Sequence, residues 1–207
     1  MQKSKAMSKL GLILLGVVVG MALILGGAWW IFEKNYTYQG VLIDPPAPAA
    51  DFTLTDQYGQ PFQLSQQRGK VVLIFFGYTN CPDVCPVTLS EFKRIKAALG
   101  KRSGDVLFVY ITVDPERDTA DRIRVYLANF DPDFIGLTGS RSELEKVWQS
   151  YGVYQQRQDS GSAAGYLVDH SARVYAIDSQ GNWRLNYPYG MEPQKIAQDV
   201  AHLLKSR

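Results

Sequence analysis

The chain has 207 residues, 22 basic against 20 acidic, and two cysteines. So even a charge balance leaves no basic footprint for nucleic acid, and two thiols are too few for an iron–sulfur cluster, which takes about four. Set aside Lys3, Lys5, Lys9 and Lys34 with Glu33, and the rest carries 18 basic against 19 acidic residues.

Residues 11–32 carry no charge. As a helix the run would extend about 33 Å, enough for a bilayer core. Lys3, Lys5 and Lys9 precede it with no acid among them, which predicts a cytoplasmic N-terminus and an exported remainder. Trp29 and Trp30 suit the outer membrane interface. Gly26-Gly27-Ala28 also fits a signal-peptidase site, so a cleaved leader is the competing reading, although the apolar run continues past it. No Arg- and Ser-rich transit peptide precedes the segment, which favours a bacterial inner membrane as a single-pass protein. Residues 33–50, with Asp44-Pro45-Pro46-Ala47-Pro48, read as a semi-rigid spacer.

Residues 51–207 then alternate strand and helix signals. Phe52 to Asp56 reads as a short strand, turned by Gln57-Tyr58-Gly59-Gln60. Val71 to Phe76 and Val106 to Val113 are continuous, β-branched and aromatic, as central strands buried on both faces must be. Val87 to Leu99 and Ala120 to Phe130 have helical spacing. Ile135-Gly136-Leu137 is a short strand candidate. Ser142 to Tyr151 reads as a helix with a Ser142/Glu145 capping box. Arg173–Asp178 and Trp183–Tyr187 form a hairpin around Ser179–Asn182, and Pro193 to Lys205 closes the chain as a helix. The order predicts an α/β fold with a mixed central sheet flanked by helices.

Cys81 and Cys85 follow the first buried strand and precede the first helix of this domain, at the carboxyl end of a central strand where ligand sites form. A helix N-terminus favours thiolate, at Cys85 in particular. Pro86 suits the first helical position, which puts the cysteines on the loop and first turn. Two outcomes stay open: a small disulfide, which an exported compartment permits but which adds little stability over so short a loop, or a soft metal gripped from one side. The spacing differs from the Cys-x-x-Cys of dithiol oxidoreductases. His170, in a loop before the Arg173 strand, is the candidate third ligand, with a surface histidine as the alternative. His202, near the end of the last helix, reads as structural. Two thiolates and an imidazole suit copper, whereas structural zinc takes four ligands. Asp83 reads as a turn residue and Asp169 as a backbone- or histidine-supporting residue.

Phe75-Phe76-Gly77-Tyr78-Thr79-Asn80-Cys81-Pro82-Asp83-Val84-Cys85-Pro86 resembles the signature of the Sco (SenC) family of copper-binding proteins. Val113–Thr119 resembles that family's second block and Val168-Asp169-His170-Ser171 its third, in the right order. Leu137-Thr138-Gly139 and Asp51-Phe52-Thr53-Leu54 also fit, and Ala120 departs from a common proline. The resemblance implies a thioredoxin-like fold with a membrane tether, and copper, Cu(I) or Cu(II), held by Cys81, Cys85 and His170. It also implies assembly of the dinuclear copper site on subunit II of cytochrome c oxidase, alongside other periplasmic copper carriers or thiol reductases. A thiol–disulfide reductase cycling Cys81 and Cys85 is the alternative function. A peroxidase using Thr79 and Arg117 beside the cysteine ranks third. The Asp114–Thr119 block receives no ligand role; Asp118 or Thr119 is expected to cap the next helix.

Overall fold

The computed structural model of the chain describes residues 9–34, 36–162 and 165–205, with side chains over 11–27, 36–159 and 165–205. The chain divides into two units, one ending at Tyr38 and one beginning at Gln39. The first contains α1 (Lys9–Lys34), along which Leu12, Leu15, Val18, Leu23 and Leu25 stand exposed. Among the described residues no helix is long and apolar enough to cross a membrane. The side chains described within α1 stop at 27, so the expected placement of the Trp29 and Trp30 rings falls outside them, and Lys3 and Lys5 lie outside the described residues altogether.

The second unit is built on β4 (Val71–Gly77), of which every residue is buried. Its apolar run is continuous because neighbours cover both faces. β4 pairs in parallel with β5 (Val106–Thr112) and antiparallel with β9 (Arg173–Ile177). Each fully buried Val, Leu, Ile or Phe here contributes roughly 1.5–3 kcal/mol. β6 (Ile135–Thr138) lies parallel to β5. β2 (Thr53–Asp56) and β3 (Pro61–Gln63) extend that side antiparallel, and β10 (Asn182–Pro188) extends the other, beside β9. The mixed sheet expected from the sequence is thus observed, with strand order β1-β10-β9-β4-β5-β6-β2-β3.

Its outermost strand corrects the reading of residues 33–50 as a spacer throughout. β1 (Val41–Pro48) pairs antiparallel with β10, Val41 opposite Asn186 and Pro48 opposite Asn182, with a register shift between Leu42 and Ala47. Proline is tolerated there because an edge strand leaves one row of N–H groups unused. The entry into β1 is fixed by Asp199, a fully buried carboxylate that accepts the Gln39 N–H at 3.0 Å and the Gly40 N–H at 2.9 Å.

The helices are α2 (Val84–Leu99), α3 (Ala120–Ala128), α4 (Arg141–Ser150) and α5 (Pro193–Leu203). α2 buries Leu89, Phe92, Ile95 and Leu99, as its spacing predicts. It begins at Val84, two residues before the predicted start, because Asp83 takes the N-cap position without a side-chain bond. The capping box of α4 uses Ser140 and Glu143 rather than Ser142 and Glu145. Ser140, not Ser142, has the extended backbone that an N-cap needs. α3 lies so close to β6 that a Cβ on Gly136 would sit 2.1 Å from Ile123.

A further hairpin, absent from the sequence reading, joins β7 (Gln155–Ser162) to β8 (Gly165–His170). It forms its own two-stranded sheet, separate from the eight-stranded one. His170, expected in a loop, is the last residue of β8.

Candidate metal centre

Three polypeptide segments bring the site together. The first is the turn leaving β4. Gly77 ends the strand because there is no room for a side chain: an added Cβ would stand 2.9 Å from Cys85 Sγ and 3.0 Å from the Tyr110 ring. The Cys85 sulfur therefore rests directly against the end of the central strand, fully buried. The Cys81 N–H donates to the Tyr78 carbonyl at 3.1 Å, which turns the chain so that Cys81 comes to lie over the first turn of α2. There the Cys85 N–H points at Cys81 Sγ, 3.5 Å away.

The second segment is β8, which presents His170 edge-on to the rings of Phe75 and Tyr78, at 6.0 and 5.8 Å between centroids. His170 Nε2 lies 3.5 Å from Cys85 Sγ. Nδ1 lies 3.3 Å from the Ser171 carbonyl oxygen. A carbonyl only accepts, so Nδ1 is the donor to it, and Nε2 is the nitrogen that faces the sulfurs. The ligand atoms of Cys81, Cys85 and His170 all lie within 4.8 Å of one another. Among the described residues no other group of three or more histidines, cysteines or acids is so arranged. His202 stays on the last turn of α5. Asp83 is exposed. Asp169 is also exposed and accepts a bond from Gln158 on the outer face of the hairpin.

The two thiols are unequal. Hydrogen bonding from Cys85, aided by His170 and by the backbone at Asp83 and Cys85, lowers Cys81 from 9.0 to about 4 against the opposing effect of burial. Burial, followed by the neighbouring Cys81, pushes Cys85 well above the ordinary thiol range. In the metal-free protein Cys81 is thus the thiolate and Cys85 its donor.

The third segment is Asp114–Thr119, and it changes what the sequence suggested for that block. Thr119 caps α3. Asp118 does not; it is fully buried beneath the cysteine turn. Its carboxylate accepts the Thr79 N–H at 3.0 Å, the Thr79 hydroxyl at 2.5 Å, the Thr112 hydroxyl at 2.8 Å and the Tyr110 hydroxyl at 3.3 Å. Burial raises its pKa and the bonds from Thr79 and Thr112 oppose that rise. Arg122 reinforces the same turn from α3, donating to Thr79 Oγ1 at 3.0 Å and to Asn80. These residues escaped the sequence reading because nothing local distinguishes a buried hub from a helix cap. Thr79 and Arg117, weighed as a peroxidatic pair, are engaged by Asp118 and by Asp114 respectively.

Two surface clefts, of about 160 Å³ beside Phe52 and Tyr151 and about 310 Å³ beside Trp148 and Tyr154, are not lined by Cys81, Cys85 or His170.

The SCO1/SenC family model matches residues 42–205. The chain belongs to the SCO1/SenC family. It is 37% identical over 173 residues to an SCO2-like protein of Rickettsia felis, covering 83% of this chain and 80% of that one. Among solved structures it resembles Bradyrhizobium japonicum ScoI with copper bound, at a TM-score of 0.70 and 39% identity, covering 76% of this chain and 99% of that chain. It also resembles Arabidopsis thaliana ScoI with copper bound, at 0.72 and 33%, covering 78% and 100%. These family likenesses bear out the expected thioredoxin-like fold. The Cys81, Cys85 and His170 group is one able to hold a metal, and its soft donors fit copper.

Proposed function

We propose that this member of the SCO1/SenC family is a membrane-tethered copper chaperone. It binds copper through Cys81, Cys85 and His170 and helps assemble the dinuclear copper site on subunit II of cytochrome c oxidase. The observation that carries the reading is the convergence of one imidazole nitrogen and two sulfurs within 4.8 Å from chain positions more than eighty residues apart. Thiolate selects Cu(I), and imidazole accommodates Cu(II) as well. A three-donor set leaves copper open to incoming ligands, so a target's thiolates could displace those of the chaperone one at a time. The copper-bound relatives and the family resemblance of the three sequence blocks support copper as the cargo.

The tether is part of the same proposal. The uncharged run 11–32 and the apolar side chains exposed along α1 favour a helix solvated by lipid, since a helix apolar on all sides needs an apolar surrounding. A single pass with the N-terminus in the cytoplasm places the domain in the periplasm.

The inequality of the thiols favours a second reading, a thiol–disulfide reductase. The Cys81 thiolate would attack a partner disulfide and release a partner thiol, and Cys85 would then resolve the mixed disulfide. The two activities can coexist if the chaperone first reduces its target's cysteines.

In cells whose own copy is removed, the Cys81→Ser, Cys85→Ser double variant is expected to leave oxidase without its dinuclear copper. The copper-site absorption of purified oxidase reads this directly. Full restoration by the double variant would refute the proposal.

A further inference from the structure

Among the described residues, the hairpin that carries His170 has no strand pairing with the eight-stranded sheet, so contacts other than sheet hydrogen bonds hold the imidazole over the cysteine turn. We propose that Asp114, Arg117 and Tyr166 form a clamp that positions the β7–β8 hairpin, and through it His170, for metal binding.

Strand periodicity sets the geometry. Tyr166, Val168 and His170 occupy alternate positions of β8 and therefore share one face, while Leu167 and Asp169 take the other. Val168 is buried, and Leu167 and Asp169 are exposed. Anchoring Tyr166 thus fixes the same face that His170 presents, about 13 Å along the strand.

The anchor is dense. The Tyr166 hydroxyl donates to Asp114 Oδ1 at 2.6 Å, and Asp114 is itself only 1% exposed. Arg117 Nη1 donates to the Tyr166 carbonyl at 2.9 Å, and its Nε binds the other Asp114 oxygen. The Arg117 guanidinium lies 3.6 Å from the Tyr166 ring centroid, as does that of Arg157 on β7. Arg157 in turn reaches Glu116 at 3.7 Å, so the Asp114–Arg117 turn engages both strands. Arg117 also lies 5.7 Å from the centroid of Tyr78, the ring against which His170 packs. The Thr112 hydroxyl accepts the Asp114 N–H at 2.9 Å and donates to Asp118. The hairpin clamp and the support of the cysteine turn are therefore adjacent parts of one loop. Arginine suits the role because its planar fork can bond a carboxylate and a carbonyl while stacking on an aromatic face, which lysine cannot do.

The inference rests on the copper-binding reading, and its test separates the two. The full-length chain, reduced and in detergent, is titrated with Cu(I) against a chromophoric competitor as native, Tyr166→Phe and Arg117→Lys proteins. Each is also made with His170→Ala. Amide hydrogen exchange of β8 is followed in the metal-free proteins. With His170 present, either clamp variant should weaken copper binding about tenfold, as loss of a group that orients a ligand does. With His170→Ala, the same change should cost less than about twofold, because the clamp acts through the imidazole. β8 exchange should quicken in both variants. Equal losses in the two backgrounds, or no loss in either, would overturn the clamp. If the native chain takes no copper, the proposed function falls. The exchange measurement then still decides the clamp: quickened β8 amides uphold it and unchanged amides refute it.

Discussion

Replacing His170 by alanine is expected to lower copper retention by more than the roughly 10–100-fold that follows loss of an outer supporting group, while leaving Cys81 reactive. The sulfurs remain, but a two-thiolate site lacks the imidazole that the fold brings near them. Thiol chemistry should respond far less. The largest cause of the depressed Cys81 pKa is the hydrogen bond from Cys85, with His170 contributing less. The sign follows from that shift: a thiol lowered from 9.0 to about 4 is ionised well below neutrality. Alkylation of Cys81 in the metal-free native protein should therefore stay fast down to about pH 6, where an ordinary thiol has nearly stopped reacting. It should slow only as the pH approaches the folded-state value. Cys85, buried and shifted upward, should remain unlabelled. In His170→Ala the Cys81 profile should move upward modestly and keep its selectivity. Copper competition and iodoacetamide kinetics on the same preparation separate the two. Equal collapse of both would mean that His170 supports the turn rather than the metal.

The second large effect is expected at Asp118. Substitution by alanine strips the common acceptor from Thr79, Thr112 and Tyr110. Buried donors left unsatisfied cost about 1–3 kcal/mol each, so a loss on the order of 3–5 kcal/mol is expected after the saving from removing a buried carboxylate. That is a large part of the stability of an ordinary domain, typically about 5–15 kcal/mol. The lost bonds to Thr79 lie two residues from Cys81, so the turn should loosen as well as the fold. Urea denaturation of native and Asp118→Ala proteins measures this. A loss below about 1 kcal/mol would place Asp118 among ordinary surface substitutions and contradict its role as the hub beneath the turn.

What the sequence disclosed and what it hid follow from one physical distinction. Val71–Phe76 and Val106–Ile111 are legible because burial on both faces favours a nearly unbroken apolar run. The Cys81–Cys85 turn is legible because strand end, proline and helix start coincide there. His170 could be nominated from the sequence, but its approach to the sulfurs is a tertiary fact that no local pattern encodes. The hairpin that carries it went unread because Gln155–Ser162 is polar throughout and Leu167 interrupts the alternation on the outer face of β8. β1 was hidden by its prolines, which mark a spacer and an edge strand equally well. The roles of Asp114, Arg117 and Asp118 depend on contacts with Tyr166 and Thr79, more than thirty residues away in each case.

The most direct measurement is an anaerobic titration of the reduced full-length chain with copper, followed by absorption and EPR spectroscopy. The account predicts one equivalent bound, sulfur-to-copper charge transfer, and nitrogen hyperfine structure in the Cu(II) form that disappears with His170→Ala. Failure to bind copper stoichiometrically, with Cys81 and Cys85 instead cycling readily as a disulfide, would contradict it and leave the reductase reading in its place.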